Sequence, residues 1–144
     1  MIFIGSDHGG FELKNELFKF IRDELKMEIE DTGIYKSASV DYPDIAETVC
    51  NKVLSGKHFG ILICGTGIGI SIAANKIKGI RCALCSDEYS SRMARNHNDS
   101  NALALGGRVI GAELAKSIVK TYLTSDFEGG RHAIRVGKIC SLEK

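Results

Sequence analysis

Apolar and polar positions along this chain switch repeatedly between a strand-like run and a helix-like period. Ile2–Ile4 is a short apolar run that stops at Gly5. From Phe11 to Leu25 the apolar positions Leu13, Leu17, Ile21 and Leu25 fall four apart with charges between them, which predicts an amphipathic helix. Met27–Glu30 reads as a second strand. Asp44–Leu54 reads as a helix with Ile45, Val49 and Val53 on one face and Pro43 at its first turn. Gly60–Cys64 is uninterruptedly apolar, as suits a parallel strand buried on both faces. A helix of small residues, Ile68–Ile77, follows. Then come a strand at Arg81–Cys85, a helix at Glu88–Asn96, a last strand at Ala102–Leu105, and helices at Ala112–Leu123 and Arg131–Leu142.

Repeated strand–helix alternation predicts an α/β fold: a three-layer αβα sandwich around a five-stranded parallel, Rossmann-like sheet. Residues 1–144 read as a single domain, with no internal repeat, linker or low-complexity stretch. Sites in such sheets gather at the carboxyl ends of the strands. Asp7, Cys64 and Ser86 each follow or end a strand, so they are expected to converge.

Composition narrows the function. The formal net charge is +1, from 19 basic and 18 acidic side chains, so nothing global attracts nucleic acid or an anionic membrane. An anionic partner must therefore be met by a local cluster. Sixteen glycines against a single proline point to ordered turns rather than a flexible linker. Five cysteines, an odd number, suit free thiols in a reducing cytoplasm. The N-terminal MIFIGSDHGG lacks the basic and long apolar regions of a signal peptide, and no apolar run approaches the ~18 residues of a membrane span.

The densest local signal is Gly60–Ser71, GILICGTGIGIS, where Gly65, Gly67 and Gly69 alternate between a strand and a helix. Amides at a helix start bind anions, and an enediolate oxygen is an anion, so such a turn can serve as an oxyanion hole. Cys64 opens the turn. A thiol there is favoured as thiolate and could take a proton from carbon beside a carbonyl. By spacing alone it could equally be a small core residue ending a strand. Asp7-His8 sits on the loop after the first strand. Arg131 and Arg135, four apart, share a face if helical and could fork a phosphate, or simply face solvent. His97-Asn98-Asp99 closes a helix and reads either as a cap or as a site.

Two further patterns point elsewhere. Cys82-Ala-Leu-Cys85 has redox spacing, but strand alternation sends the two thiols to opposite faces. Gly65, Gly67 and Gly69 with Asp87 approach a dinucleotide fingerprint, yet the third glycine falls one residue early and the turn follows the wrong strand. A nucleotide-binding module is the alternative of a different class.

Five ordered motifs carry a resemblance: SDHGGFELK near the start, DYPD at Asp41–Asp44, ICGTGIGISIAANK at Ile63–Lys76, RNHNDSNALALGGRVIG at Arg95–Gly111 and EGGRHAIRV at Glu128–Val136. Together they span nearly the whole chain, which resembles ribose-5-phosphate isomerase type B, in a wider family with the galactose-6-phosphate isomerase subunits. The resemblance implies interconversion of ribose 5-phosphate and ribulose 5-phosphate without metal or cofactor. It also implies a homodimer with shared sites, sometimes paired into tetramers. It makes Cys64 the base, and some relatives use a glutamate a few positions later, where this chain has only Ser71 and uncharged neighbours. Thr66 would orient beside Cys64, and Gly65, Thr66, Gly67, Ile68 and Gly69 would hold the enediolate. His97, from the partner subunit, would open the furanose ring with Asp7. His8, Arg108, Arg131 and Arg135 would hold phosphate, Asn98 a sugar hydroxyl, and Tyr42 would line the ring. Isomerisation of a six-carbon sugar phosphate, allose or galactose 6-phosphate, stays open as the alternative.

Overall fold

The computed structural model describes residues 1–33 and 40–143. Five parallel strands form one sheet: β1 (Ile2–Ser6), β2 (Ile29–Asp31), β3 (Phe59–Cys64), β4 (Cys82–Leu84) and β5 (Ala102–Gly106). Their spatial order is β2-β1-β3-β5-β4. From β1 the chain first adds a strand on one side and then crosses to the other. The order therefore reverses between β1 and β3, where ligands of open α/β sheets bind. Register brings Ser6 opposite Ile63 and Cys64 opposite Gly106.

The helices are α1 (Phe11–Lys19), α2 (Tyr42–Val53), α3 (Ile68–Asn75), α4 (Glu88–Asn96), α5 (Ala112–Leu123) and α6 (Arg131–Ser141). Alternation along the strands splits the core into two layers. Ile2, Ile4, Ile61, Ile63, Leu103 and Leu105 pack on one side against Leu13, Leu17 and Ile21 and against α4 and α5. Phe3, Leu62, Cys64, Ala102 and Ala104 pack on the other against α2 and α3. This is the expected αβα sandwich. α6 stands apart, since His132 is its only buried residue.

Three boundaries differ from expectation. α1 does not continue regularly to Leu25; Phe20–Glu24 widen into a π-helical turn, with the Leu25 N–H donating to the Phe20 carbonyl at 3.0 Å. Ile21 stays fully buried through this turn, so the four-residue apolar spacing is kept while the hydrogen bonding changes. β2 begins at Ile29 rather than Met27, after Lys26 reverses the chain at φ +56°. β4 keeps only Cys82–Leu84, as expected of an edge strand with one neighbour.

Candidate active site

Asp7 and Cys64 leave adjacent strands at the point of reversal. The Asp7 N–H donates to the Ile63 carbonyl at 3.2 Å, which ties the loop after β1 to the end of β3. A tight turn follows at His8–Gly10, with the Gly9 N–H donating to Asp7 Oδ1 at 2.9 Å. Asp7 is buried and His8 is exposed. Ser86 shares this edge, but β4 lies two strands from β3, roughly 10 Å away at strand spacing. The expected convergence thus holds for Asp7 and Cys64, with Ser86 outside it.

The turn after Cys64 folds back over its own sulfur. Gly67 adopts φ +80°, open to glycine at little cost, and its N–H donates to Cys64 Sγ at 3.1 Å. Thr66 Oγ1 accepts from the Ile68 N–H at 3.1 Å. Gly67 is the N-cap of α3 and supplies no side-chain cap, so amides of the first helical turn have no intrahelical acceptor. The result is a thiol that accepts one N–H at the positive end of a helix, beside the amides of its first turn.

Two side chains close over this turn. The Arg108 N–H donates to the Gly65 carbonyl at 2.9 Å, and its Nη1 lies 3.3 Å from where a Gly65 Cβ would stand. Tyr42 packs its phenol ring over Gly69, close enough that a Cβ there would meet the ring carbons at 2.6–2.7 Å. Asp7, Tyr42, the turn Gly65–Gly69 and Arg108 therefore gather about Cys64, with His8 exposed on the loop beside them.

His97, Asn98, Arg131 and Arg135 do not join them. α4 runs antiparallel to the strands, so its end falls at the opposite edge of the sheet. The Gly60 N–H donates to the Asn101 carbonyl, which sets the segment after His97 level with the start of β3. From Gly60 to Cys64 is about 13 Å along the strand. That segment is firmly held. Arg95 Nη1 donates to Asp99 Oδ1 at 3.0 Å and to the Ser100 carbonyl at 2.6 Å. Arg81 Nη2 donates to the Asp99 carbonyl at 2.8 Å, and Asp99 takes φ +46°.

α6 joins this second group. The Glu128 N–H donates to the Asn96 carbonyl at 2.9 Å. The His132 ring stacks on His97, centroids 4.0 Å apart and planes within 9°. Glu128 Oε1 lies 3.8 Å from His97 Nε2 and 3.7 Å from His132 Nε2. Burial first, and then the nearby His97 and Arg131, hold His132 below the usual imidazole range. Arg131 and Arg135 are exposed on α6, as their spacing predicts for one helix face.

These three residues bring their ligand atoms within 4.8 Å of one another, as a metal site would. The ring geometry argues against one. A metal must lie near the plane of each imidazole about 2.1 Å from its nitrogen, and two rings stacked face to face, centroids 4.0 Å apart and planes within 9°, offer no shared point of that kind. Three other thiols are held protonated by burial, which pushes Cys50 up to about 12 and Cys85 up to about 11, and raises Cys82 further. Cys82 and Cys85 join opposite core layers, as strand alternation requires. A groove of about 570 Å³ lies between Lys76, Lys78, Arg81, Ile139 and Leu142, away from Cys64.

Sequence reasoning did not single out Glu128 or His132. Their i, i+4 spacing was visible, but the flanking arginines supplied a simpler reading of the same helix. Nor did it find Arg81 and Arg95, whose charges are used inward to hold a loop.

Comparison with known proteins gives the family. The family model described as Ribose/Galactose Isomerase matches residues 2–139. The chain is 49% identical over 144 residues to the ribose-5-phosphate isomerase B of Escherichia coli K12, covering 99% of this chain and 96% of that one. It is 43% identical over 139 residues to a D-erythrulose-4-phosphate isomerase of Pectobacterium atrosepticum, covering 96% and 91%. A solved ribose-5-phosphate isomerase B of Clostridium thermocellum superposes with a TM-score of 0.95 at 55% identity, covering 99% of this chain and 96% of that one. With the fold, the five motifs and the family model in agreement over almost its full length, the chain belongs to the ribose/galactose isomerase family.

Proposed function

We propose that this sugar phosphate isomerase interconverts ribose 5-phosphate and ribulose 5-phosphate through an enediolate, in sites assembled from two copies of a single-domain chain. The observation that carries the reading is the Cys64 turn, where a thiol and a cluster of helix-start amides meet at the sheet's point of reversal. Carbonyl oxygen gains negative charge when the adjacent carbon loses a proton, and preorganised amides stabilise that charge. Cys64 is the base: its thiolate takes the proton from C2 of the aldose and returns it to C1. Gly65, Thr66, Gly67, Ile68 and Gly69 hold the enediolate.

Ribose 5-phosphate arrives mostly as a furanose. Opening it breaks the C1–O4 bond, puts a proton on O4 and removes one from the C1 hydroxyl. His97 gives the first proton and Asp7 receives the second. Within one chain these groups lie at opposite edges of the sheet, so a second copy must bring His97 to Cys64. Exposed apolar side chains support that pairing: Ile68, Ile72 and Val109 around the Cys64 turn, and Ile134 on α6. His8 and Arg108 from one copy and Arg131 and Arg135 from the other hold the phosphate. Asn98 holds a sugar hydroxyl, and Tyr42 lines the sugar. We take the cytoplasm as the compartment, since its reducing conditions suit five free cysteines. No helix among the described residues is long and apolar enough to cross a membrane.

The test is a panel of four-, five- and six-carbon aldose phosphates, assayed with and without EDTA. The highest kcat/KM is expected on ribose 5-phosphate, unchanged by EDTA. A higher value on allose or galactose 6-phosphate would replace the substrate assignment, and loss of activity in EDTA would remove the metal-free mechanism.

A further inference from the structure

We infer that Glu128 is a positioning residue for His97, its carboxylate facing both imidazoles of the stacked His97–His132 pair and favouring proton delivery from His97. The inference rests on the reading of His97 as the group that opens the sugar ring.

The trio sets one carboxylate against two stacked rings. Glu128 Oε1 stands 3.8 Å and 3.7 Å from the two Nε2 atoms, too far for a good hydrogen bond but well within charge–charge reach. A carboxylate so placed favours imidazolium on its side of the stack. Two imidazolium rings 4.0 Å apart repel each other, so the pair does not readily take two protons. His132 is the buried member, and burial disfavours its charged form, with Arg131 and Arg135 opposing it further. His97 is half-buried at the end of α4 and open to a ligand. His97 is therefore the ring of the pair placed to deliver a proton.

The backbone holds the geometry. The Glu128 N–H is bonded to the Asn96 carbonyl, next to His97 in sequence, and the His132 N–H to the Gly129 carbonyl at 3.1 Å. The segment that carries Glu128 is thus tied to the end of α4. Stacking keeps the His97 ring in one orientation, and the carboxylate compensates its charge when protonated. During ring opening His97 passes that proton to O4. It is restored from solvent or from the proton released by the C1 hydroxyl, so the step needs no other reactant.

Ring opening can be separated from enolisation. Erythrose 4-phosphate carries its phosphate on the hydroxyl a five-membered ring would need, so it stays open. Deuterium uptake at C1 of ribulose 5-phosphate, also ring-free, reports enolisation alone. Glu128→Gln is expected to lower kcat/KM for ribose 5-phosphate roughly 10- to 100-fold. Its rates on the two ring-free probes should change less than about threefold. Glu128→Asp, which keeps the carboxylate, should recover most of the loss. The Glu128 side chain is half exposed, so both variants can be checked against the wild-type melting temperature. Equal losses on ring and ring-free probes, no loss on ribose 5-phosphate, or no recovery in Glu128→Asp would overturn the inference. His97→Asn, run alongside, separates the two levels. If it also fails to discriminate ring from ring-free probes, the ring-opening reading itself falls. If it discriminates and Glu128→Gln does not, only the role of Glu128 falls.

Discussion

Two glycines in and after the turn at Cys64 should respond very differently to the same added methyl group. Gly67 has φ +80°, and a Cβ there would stand 2.6 Å from Leu84 Cδ1, 2.8 Å from the Leu105 carbonyl carbon and 3.0 Å from the Gly106 nitrogen. Leu84 can rotate away. The β5 backbone cannot, because Leu105 and Gly106 are paired with Ile63 and Cys64. Left-handed backbone costs an alanine about 1–2 kcal/mol, and forcing a methyl group into packed surroundings costs about 1–3 kcal/mol. Gly67→Ala should therefore destabilise the protein by roughly 2–5 kcal/mol.

Gly69 lies two residues on, and the three atoms nearest a Cβ there all belong to Tyr42, at the tip of an exposed ring. That ring can swing out. Alanine in a helix is favoured over glycine by up to about 1 kcal/mol. Gly69→Ala should thus stay within about 1 kcal/mol of the parent, while it displaces Tyr42 from the turn. Urea unfolding at one fixed chain concentration measures both, read as a midpoint shift at unchanged slope. A Gly67→Ala midpoint matching the parent, or a Gly69→Ala loss as large as that of Gly67→Ala, would refute the reasoning.

The remaining predictions concern titration and thiol chemistry. His132 binds its proton more weakly in the folded chain than in the unfolded one, so the unfolded state holds more protons as pH falls below the ordinary imidazole value near 6.5. The stability this group contributes is present above that pH and lost as pH falls through the folded value. Urea midpoints between pH 8 and pH 5 should show the decline, and His132→Asn should flatten it. Alkylation of the folded protein should leave Cys50 and Cys85 unmodified, since burial pushes them up to about 12 and about 11. Inactivation should follow modification of Cys64 by peptide mass, and a sugar-phosphate analogue should slow it.

Much of the sheet was legible because its central strands are continuous apolar runs. GILIC at Gly60–Cys64 suits a strand covered on both faces, and Leu13, Leu17 and Ile21 mark the buried face of α1 and the turn that follows it. The short edge strands β2 and β4 were placed only approximately, because three residues carry too little periodicity to fix a boundary. The convergence of Asp7 with the Cys64 turn was readable from its glycines and from the strand ends. What local pattern could not contain is strand order and helix direction. Those decide that Asp7 lies beside Cys64, that Ser86 does not, and that His97 falls at the far edge. Tyr42 over Gly69 and Arg108 beside Gly65 are long-range contacts that became visible only with the fold. Glu128 and His132 were hidden for a similar reason: their partner, His97, is more than thirty positions away in the chain.

The central claim is that Cys64 from one copy works with His97 from another. Co-expressing Cys64→Ala and His97→Asn chains tests it most directly. Each homodimer alone should be inactive in ribose 5-phosphate isomerisation. In a symmetric mixed dimer one site carries both lesions and the other carries none. Random pairing makes half the dimers mixed, so the mixture should regain about one quarter of wild-type activity. Folded mixed dimers with no recovered activity would contradict the shared site, and would return Cys64 and His97 to separate roles.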